Sequence, residues 1–374
     1  MLLKIDNKVY FPNLDVLRCV CALMVVLAHS YEGFCSWIGS PLVAFPLIDT
    51  KIRLFISNLS IGVDVFFVIS GFLITYLLLN EKHFSGNVHI GKFIIRRSLR
   101  IWPLYFFAIF FGFVLISFSN RPAPNYLANL FFLNNFNAIQ IDGWQFPFAH
   151  FWSICVEEHF YIIWPIVLYF TSIKNVPFIT VFLIGISTLS RWYFAEFSTN
   201  LQMNLHVNTL ARIDEILIGA LVAWVHFKKP IIINTDNKTR LLVYVILITL
   251  LFVDGYNNWG TGIFDVMYKK YIYLGLIVFW MCNYLFNPEA FFNFKNKNFI
   301  HYLGKVSFGI YIYHNMLIDP FISKFVYRFS IKSFWVYELG YLVLVIGVSI
   351  LSYELFEKYF LRLKQKFEII KTER

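Results

Sequence analysis

Charged residues are scarce in this sequence of 374 residues: Asp, Glu, Lys and Arg together account for 14%, whereas soluble domains carry about a quarter. This scarcity excludes a soluble enzyme and a disordered chain. Cysteine is also sparse, with five residues, four of them inside apolar stretches, so no disulfide scaffold is expected. Hydrophobic residues make up 59% of the chain and aromatic residues 20%, a surface that only lipid can solvate.

Ten apolar runs have about the length needed to cross roughly 30 Å of hydrocarbon. They cover residues 11–31, 58–80, 98–119, 150–172, 176–193, 208–227, 240–255, 269–287, 300–322 and 333–355. The alternating pattern of outer-membrane strands is absent, and each run is about twice the length of such a strand. The sequence therefore predicts an all-α polytopic membrane protein, a bundle of about ten transmembrane helices.

Most of the 32 Lys and Arg residues fall on the cytoplasmic side when the N-terminus is placed in the cytoplasm. By the positive-inside rule this asymmetry predicts that both termini are cytoplasmic, and lipid headgroups rather than nucleic acid then explain the net charge of +10. The predicted parts are a cytoplasmic lead (1–10), a membrane domain (11–356) and a basic cytoplasmic tail (357–374). The longest polar gaps, near 31–57 and 119–149, fall on the far side.

The first apolar run contains two ionisable residues, Arg18 and His29, eleven positions apart. At about 100° per residue both side chains share one helix face, about 16 Å apart along the axis. A charge in the middle of a span costs about 2.5–3.5 kcal/mol, so such residues are candidates for function. The structural alternative is that Arg18 extends to the inner headgroups while His29 bonds a neighbouring carbonyl.

The second run contains Asp64, Ser70 and Gly71. Ser70 and Gly71 are predicted to allow close helix packing. An unpaired carboxylate near the outer end of a span needs a partner, and His29 lies at the same predicted depth. Asp64 beside an imidazole would fix its tautomer and raise its basicity, as a general base requires.

Arg96, Arg97 and Arg100 cluster where the third run begins, on the predicted cytoplasmic side. One interpretation is positive-inside charge that binds lipid phosphates. The other is a phosphate clamp, because arginine forks match phosphate oxygens and Arg96 and Arg100 lie four apart on one helix face. Trp102 and Tyr105 are interpreted first as interfacial anchors and second as ligand contacts.

The fourth run begins with Trp152 and continues with Glu157, Glu158 and His159. Neighbouring residues of a helix point about 100° apart, so at most one of the two carboxylates can face a cavity with His29. The other is expected to brace a neighbouring helix. Zinc-type ligand spacing is missing, so no metal site is predicted.

The sixth and ninth runs add further ionisable residues. Arg212, Asp214 and Glu215 lie near the outer end of the sixth run, where an ion pair with the fourth span and a ligand contact are equally favoured. His314 lies in the ninth run, where a packing role is favoured.

Six motifs occur in the order typical of one family. They are Arg-x10-His (Arg18, His29), GVDVFFVISGFL, RRSLRIWPLY, FWSICVEEHFY, ARIDEILIGALVA and SFGIYIYHNM. Over about residues 10–357 the chain resembles the membrane acyltransferase 3 family, in which a ten-helix bundle moves acyl groups from a cytoplasmic donor to an acceptor, often a glycan.

Carried over to this sequence, the resemblance implies that His29 is the catalytic base or the acyl-accepting group. Three carboxylates are candidates for orienting it or the acceptor hydroxyl: Glu157, Glu158 and Asp64. Five residues would contact the donor, the arginines through its phosphates: Arg18, Arg96, Arg97, Arg100 and Tyr105. Substrate-binding or structural roles would fall to Trp152, His159, Tyr161, Arg212, Asp214 and His314.

The resemblance further implies an O-acyltransferase that uses acetyl-CoA, or another acyl-CoA, as donor substrate and holds no bound cofactor. Its partners would be membrane lipids, a cell-envelope or exported carbohydrate as acceptor, and glycan-assembly proteins, in a bacterial cytoplasmic (inner) membrane.

Two departures from the family pattern qualify this expectation. Many members are fused to a serine-esterase-like domain that this sequence does not contain, so we expect transfer to finish within the bundle or through a separate protein. Members more often have Gln at the position of His159. The alternative function is a transporter or flippase for a glycan or an anionic substrate, against which stands the lack of an inverted repeat.

Overall fold

The computed structural model describes residues 8–40, 46–253, 262, 264–287 and 299–372. Helices make up almost all of these ranges. The two ends of the described chain meet in a short parallel pairing, in which Lys8 lies opposite Lys371 and Val9 opposite Thr372. The strands of this pair are β1 (Lys8–Val9) and β2 (Lys371–Thr372).

Fifteen α-helices lie within the described ranges. They are α1 (Pro12–Trp37), α2 (Pro46–Asn58), α3 (Gly62–Ser85), α4 (Ile90–Ser117), α5 (Tyr126–Leu130), α6 (Asn134–Ile141), α7 (Phe151–Phe170), α8 (Val176–Phe197), α9 (Leu201–Val207), α10 (Thr209–Lys228), α11 (Asn237–Val253), α12 (Lys270–Phe286), α13 (Phe299–Phe321), α14 (Phe334–Ser352) and α15 (Lys358–Gln365). Short 3₁₀ turns precede α3 and α8, and π turns precede α12 and follow α13 and α14.

A helix lies at each of the ten predicted runs, although the last two residues of the run 240–255 fall outside the described part. Six stretches in the described residues are long and apolar enough to cross a membrane, by length and composition. They are Asn13–Trp37, Leu47–Ser85, Ile90–Ser117, Phe151–Phe170, Ile173–Phe197 and Phe334–Gln365. The prediction of an all-helical membrane protein is confirmed. The number of ten spans and the cytoplasmic termini stay predictions.

The polar gaps contain more helix than the sequence analysis suggested. Within the gap 31–57, α1 continues to Trp37, and α2 runs through the 3₁₀ turn Leu59–Ile61 directly into α3. The side-chain amide of Asn58 donates to the carbonyl of Leu251 on α11, 2.8 Å away, which ties this junction to the bundle. The gap 119–149 forms α5 and α6.

Large apolar side chains cover the outside of the bundle. Phe110 on α4, Phe178 on α8 and Leu339 on α14 are each more than 60% exposed. The inside, by contrast, is closely packed around α1, which contacts α3, α13 and α14. An apolar outer surface around a packed interior is the arrangement expected of helices surrounded by lipid.

The closest helix contact lies between α3 and α10. A Cβ atom added to Gly71 would overlap the carbonyl oxygen of Ile216, and one added to Gly219 would overlap that of Val68. Only glycine permits two backbones to approach this closely, which confirms the packing role predicted for Gly71. The neighbouring Ser70 instead shares a hydrogen bond of 2.6 Å with the Tyr161 hydroxyl on α7.

Replacing Gly71 by Ala therefore forces α3 and α10 apart, because backbone atoms cannot move aside as a side chain can. We expect a loss of about 1–3 kcal/mol in the free energy of unfolding, the usual cost of overpacking a close interface. The thermal midpoint in detergent measures this loss. Gly275→Ala on α12 is the matched control, since a Cβ there meets nothing within 4 Å. Equal midpoints for the two variants would contradict the assigned contact.

Candidate functional site

Two of the cavities among the described residues adjoin α1 at its ionisable residues, one at Arg18 and the other at His29. The first, called the arginine cavity, has a volume of about 90 Å³ and is lined by Arg18 together with Arg97 and Arg100 of α4. The second, called the histidine cavity, has a volume of about 560 Å³, is accessible from the protein surface and is lined by His29. The eleven-residue spacing on α1 thus brings Arg18 and His29 to two cavities in sequence.

The arginine cavity gathers three guanidinium groups. Arg97 and Arg100 are three positions apart on α4, so they face the same side of the helix as one another. The guanidinium of Arg97 lies 5.7 Å from the centre of the Phe93 ring and 5.6 Å from that of Tyr161. Arg18 lies 3.5 Å from the Asp15 carboxylate, a loose pair. Such a concentration of guanidinium groups suits the binding of a phosphate or another polyanion.

Arg96 does not belong to this group. Its guanidinium pairs with Glu81 at 2.7 Å and donates to the carbonyl of Phe367 at 3.0 Å. The predicted clamp of Arg96 with Arg100 is therefore wrong. Arg97 takes that place, because the side chain of Arg96 turns toward the residues around Phe367.

Tyr105 also lies away from the arginine cavity. It is fully buried, its hydroxyl donates to the carbonyl of Asn129 at 2.7 Å, and its ring stacks on Phe132 at 4.5 Å. Neither the interfacial anchor nor the donor contact is formed. The residue fastens α4 to the segment that contains α5.

Glu157 and Glu158 diverge, as their neighbouring positions on α7 predict. Glu158 is buried and accepts a hydrogen bond of 3.0 Å from the indole N–H of Trp102 on α4, so it braces that helix. Glu157 lines the arginine cavity. Neither carboxylate lines the histidine cavity, because Glu157 faces Arg18 instead, which agrees with the predicted limit of at most one.

His29 has a different partner from the one predicted. Its Nδ1 lies 2.8 Å from Nε2 of His314 on α13, and Nδ1 of His314 lies 2.6 Å from the carbonyl oxygen of Tyr311. A carbonyl only accepts, so Nδ1 of His314 carries the proton and its Nε2 accepts from Nδ1–H of His29. His29 is thereby held as the tautomer whose Nε2 is unprotonated, which is the form a general base needs.

Asp64 is engaged elsewhere. Its carboxylate accepts from Arg212 at 2.7 Å, and both side chains are about 2% exposed. This pair continues into a buried ionic network across α3, α8, α10 and α12. The network comprises Asp64, Arg191, Arg212, Asp214, Glu215 and Lys270. The ionisable residues of the sixth span do form ion pairs, and partners shown by the structure are Asp64, Arg191 and Lys270, which do not belong to the predicted fourth span.

Three further predicted residues lie on α7. Trp152 lines the histidine cavity and packs against His206 at 5.0 Å, with the Arg212 guanidinium 5.3 Å from its ring. Tyr161 lines the arginine cavity. His159 lines neither cavity: its Nδ1 bonds the Thr209 hydroxyl at 2.7 Å, which joins α7 to α10.

An aromatic layer separates the two cavities, which share no lining residue. Phe67 and Tyr311 on the arginine side contact Trp152 and His150 on the histidine side, with ring centres 6.1 Å and 5.6 Å apart. The Tyr311 hydroxyl also bonds the Ser153 hydroxyl and the carbonyl of His150. These residues close the passage between the cavities.

Several lining residues of the histidine cavity were not singled out from the sequence as site residues. Glu32 follows His29 by one helical turn, so its spacing on α1 was a usable signal. His150, Asp142 and His206 come from the ends of helices and from connecting segments. Helical periodicity in the sequence therefore does not predict that any of these three residues lines the cavity.

His206 has an unusual environment for an imidazole. Desolvation among the packed helices, helped by the nearby charge of Arg212, lowers its pKa to about 3. It therefore stays neutral at physiological pH and adds no positive charge to the histidine cavity. Together with Trp144, Gln202 and Asn315, it gives that cavity a neutral, aromatic and amide lining with acids at Glu32 and Asp142.

Comparison with known proteins gives one matching family and several relatives. The family model described as Acyltransferase domain matches residues 11–354. The chain is 24% identical over 349 residues to the O-acetyltransferase OatA of Staphylococcus aureus (strain NCTC 8325 / PS 47), covering 84% of this chain and 52% of that protein. With SACOL0978 of S. aureus strain COL the identity is 26% over 345 residues, covering 85% and 52%. The chain thus spans about half the length of these relatives, and no solved structure matches it.

Proposed function

The chain belongs to the membrane acyltransferase 3 family, and on this premise we propose that it is a membrane O-acyltransferase. It moves an acyl group, in the first place acetyl, from acyl-CoA to a hydroxyl of a cell-envelope or exported carbohydrate. The observation that carries this proposal is the pair of cavities on α1, one basic and one containing an oriented imidazole. The name O-acetyltransferase of the S. aureus relative supports the choice of acetyl.

In this proposal the arginine cavity is the donor site and faces the cytoplasm of a bacterial inner membrane. The helices at all ten apolar runs cross the membrane, and both termini are cytoplasmic. The pairing of β1 with β2 supports the placement of both ends on the same side, because it brings the two described chain ends together. Arg18, Arg97 and Arg100 bind the phosphates of CoA. For transfer the pantetheine arm has to pass the aromatic layer, which is closed in this structure, so that the thioester reaches His29.

The histidine cavity is the acceptor site. Nε2 of His29 takes the proton of a sugar hydroxyl, whose oxygen attacks the thioester carbonyl, and the CoA thiolate leaves with a proton. In the alternative route, Nε2 itself attacks the carbonyl and the CoA thiolate leaves; the acyl-imidazole then passes the acyl group to the sugar hydroxyl, and the hydroxyl proton goes to the thiolate. Both routes need an unprotonated Nε2, which the hydrogen bond to His314 provides.

The alternative of a transporter rested on buried charges that mark a substrate path. The buried cations Arg191, Arg212 and Lys270 all pair with buried carboxylates in the structure. A paired and closely packed network supports a structural function for these charges, which favours the acyltransferase.

The proposal is tested by acyl transfer with purified protein in liposomes, using radiolabelled acetyl-CoA and several candidate glycans. Arg97→Gln removes a charged phosphate contact, so we expect KM for acetyl-CoA to rise by about 10–100-fold with little change in kcat. Arg121→Gln is the control, because Arg121 pairs with Asp319 and lines neither cavity. Wild-type protein that neither binds CoA nor consumes the thioester would overturn the proposed function.

A further inference from the structure

The arginine cavity has two neighbouring cavities that are lined in part by residues beyond the region of the family match. They are a middle cavity of about 60 Å³ and an end cavity of about 30 Å³. Arg97 lines all three, and Arg18 and Arg100 line both the arginine cavity and the middle cavity. The three cavities are therefore neighbours along one side of α4.

The C-terminal segment, here α15 to β2, forms one wall of the middle and end cavities. Lys364 on α15 lines both the middle and the end cavity. Glu368 and Ile370 line the end cavity together with Arg96 and Phe93 of α4. This segment lies beyond residue 354, where the family match ends.

Several contacts hold the C-terminal segment in place. The guanidinium of Arg96 donates to the carbonyl of Phe367 at 3.0 Å, and β2 pairs with β1. α15 packs along α4, the helix that carries Arg97 and Arg100. The C-terminal segment is therefore an integral wall of these cavities, held by α4 at α15 and by β1 at β2.

We propose that the C-terminal segment completes the donor site, and that Lys364 binds a phosphate group of the acyl donor there. This inference rests on the proposed function, since it names a donor that carries phosphates. Four basic residues and one acid are found among the described residues that line the middle cavity: Arg18, Arg97, Arg100 and Lys364, with Asp15. This excess of positive charge suits a group with several negative charges, such as the pyrophosphate and ribose phosphate of CoA.

Lys364 now pairs with Glu368 at 3.1 Å, one helical turn further along the chain. Both side chains are about one tenth exposed, so the ammonium group is held at the middle and end cavities rather than in open solvent. A phosphate has more charge and more acceptor atoms than a carboxylate, so it replaces Glu368 as the partner of Lys364. Glu368 then acts as a placeholder for the phosphate in the unliganded protein.

The test is equilibrium binding of CoA to the full-length protein in nanodiscs of phosphatidylcholine. Lys364→Ala is expected to weaken binding by about tenfold, the effect of one charge-assisted contact, and Lys364→Arg is expected to restore most of it. Lys358→Ala is the matched control: it lies on the same helix and also pairs with a carboxylate four positions away, but it lines none of these cavities. Glu368→Gln is expected to bind CoA at least as tightly as wild type.

Two further arms identify the source of the phosphate. Pantetheine lacks phosphates, so Lys364→Ala should leave its binding unchanged, whereas dephospho-CoA shows whether the lysine contacts the pyrophosphate. The measurement is repeated in nanodiscs that contain phosphatidylglycerol. An effect of Lys364 that appears only with the anionic lipid would overturn the inference in favour of a headgroup. Equal CoA affinities for wild type and Lys364→Ala would also overturn it, whereas wild type without CoA affinity would instead defeat the proposed function.

Discussion

The variant His29→Gln loses acyl transfer by a factor of about 10²–10⁴ in kcat, the usual contribution of a general base, while the protein stays folded. Glutamine keeps a donor for Nε2 of His314, so the contact between α1 and α13 survives and only the base is removed. Single-turnover release of CoA from radiolabelled acetyl-CoA in liposomes measures the loss directly. Because the donor site is untouched, CoA binding by this variant should match that of wild type.

Two companion variants separate chemistry from structure. His314→Leu removes the acceptor for Nδ1–H of His29, so its rate should fall less than that of His29→Gln and its pH profile should shift. His83→Gln on α3 changes an exposed imidazole outside both cavities and should be neutral. His206, with its pKa of about 3, is neutral throughout the range from pH 5 to 9, so it contributes no ionisation to the profile. Full activity of His29→Gln would remove His29 from the mechanism.

Asp214→Asn is expected to produce the largest loss of stability of any single change in the bundle. Asp214 accepts from Arg191 at 2.6 Å and from Lys270 at 2.7 Å, and all three side chains are fully buried. Removing the carboxylate takes from Arg191 its acidic partner and leaves Lys270 with Glu215, which Lys270 already shares with Arg212. Breaking a buried pair in this way costs about 3–5 kcal/mol. Reduced yield of folded protein and a lower thermal midpoint in detergent would report this loss.

The double variant Asp214→Asn with Lys270→Met tests whether charge balance is the cause. It removes one cation with the acid, so the network keeps two cations, Arg191 and Arg212, and two acids, Asp64 and Glu215. We expect it to be more stable than Asp214→Asn alone. Asp319→Asn is the control, because its pair with Arg121 is partly exposed and exposed pairs contribute little. A double variant that is no better than the single one would mean that packing, rather than charge, governs this region.

The sequence was sufficient for features that depend on local spacing. The spacing of eleven positions from Arg18 to His29 placed both on one side of α1, and the adjacent positions of Glu157 and Glu158 separated their side chains. The closeness of Gly71 to a neighbouring helix followed from the absence of a side chain. Each of these is a property of one helix and its geometry.

Partners on other helices could not be predicted in the same way. The predicted depth in the membrane suggested His29 as the partner of Asp64, but several helices reach that depth. The structure instead pairs Asp64 with Arg212, 148 positions away. The partner of His29 is 285 positions away on α13. Choosing between such partners requires the order in which helices pack, which hydrophobic periodicity does not encode. The same applies to Arg96, whose partner Phe367 belongs to the C-terminal segment.

The aromatic layer has a consequence for the cell as well as for the reaction. Two polar cavities placed end to end would otherwise form a continuous column of water through the bilayer, along which protons move from one water to the next. Phe67, Trp152, Tyr311 and His150 interrupt that column at the point where the cavities come closest. In the proposed orientation the layer acts as electrical insulation, so that one polar cavity can face each side of the membrane without discharging the ion gradient across it.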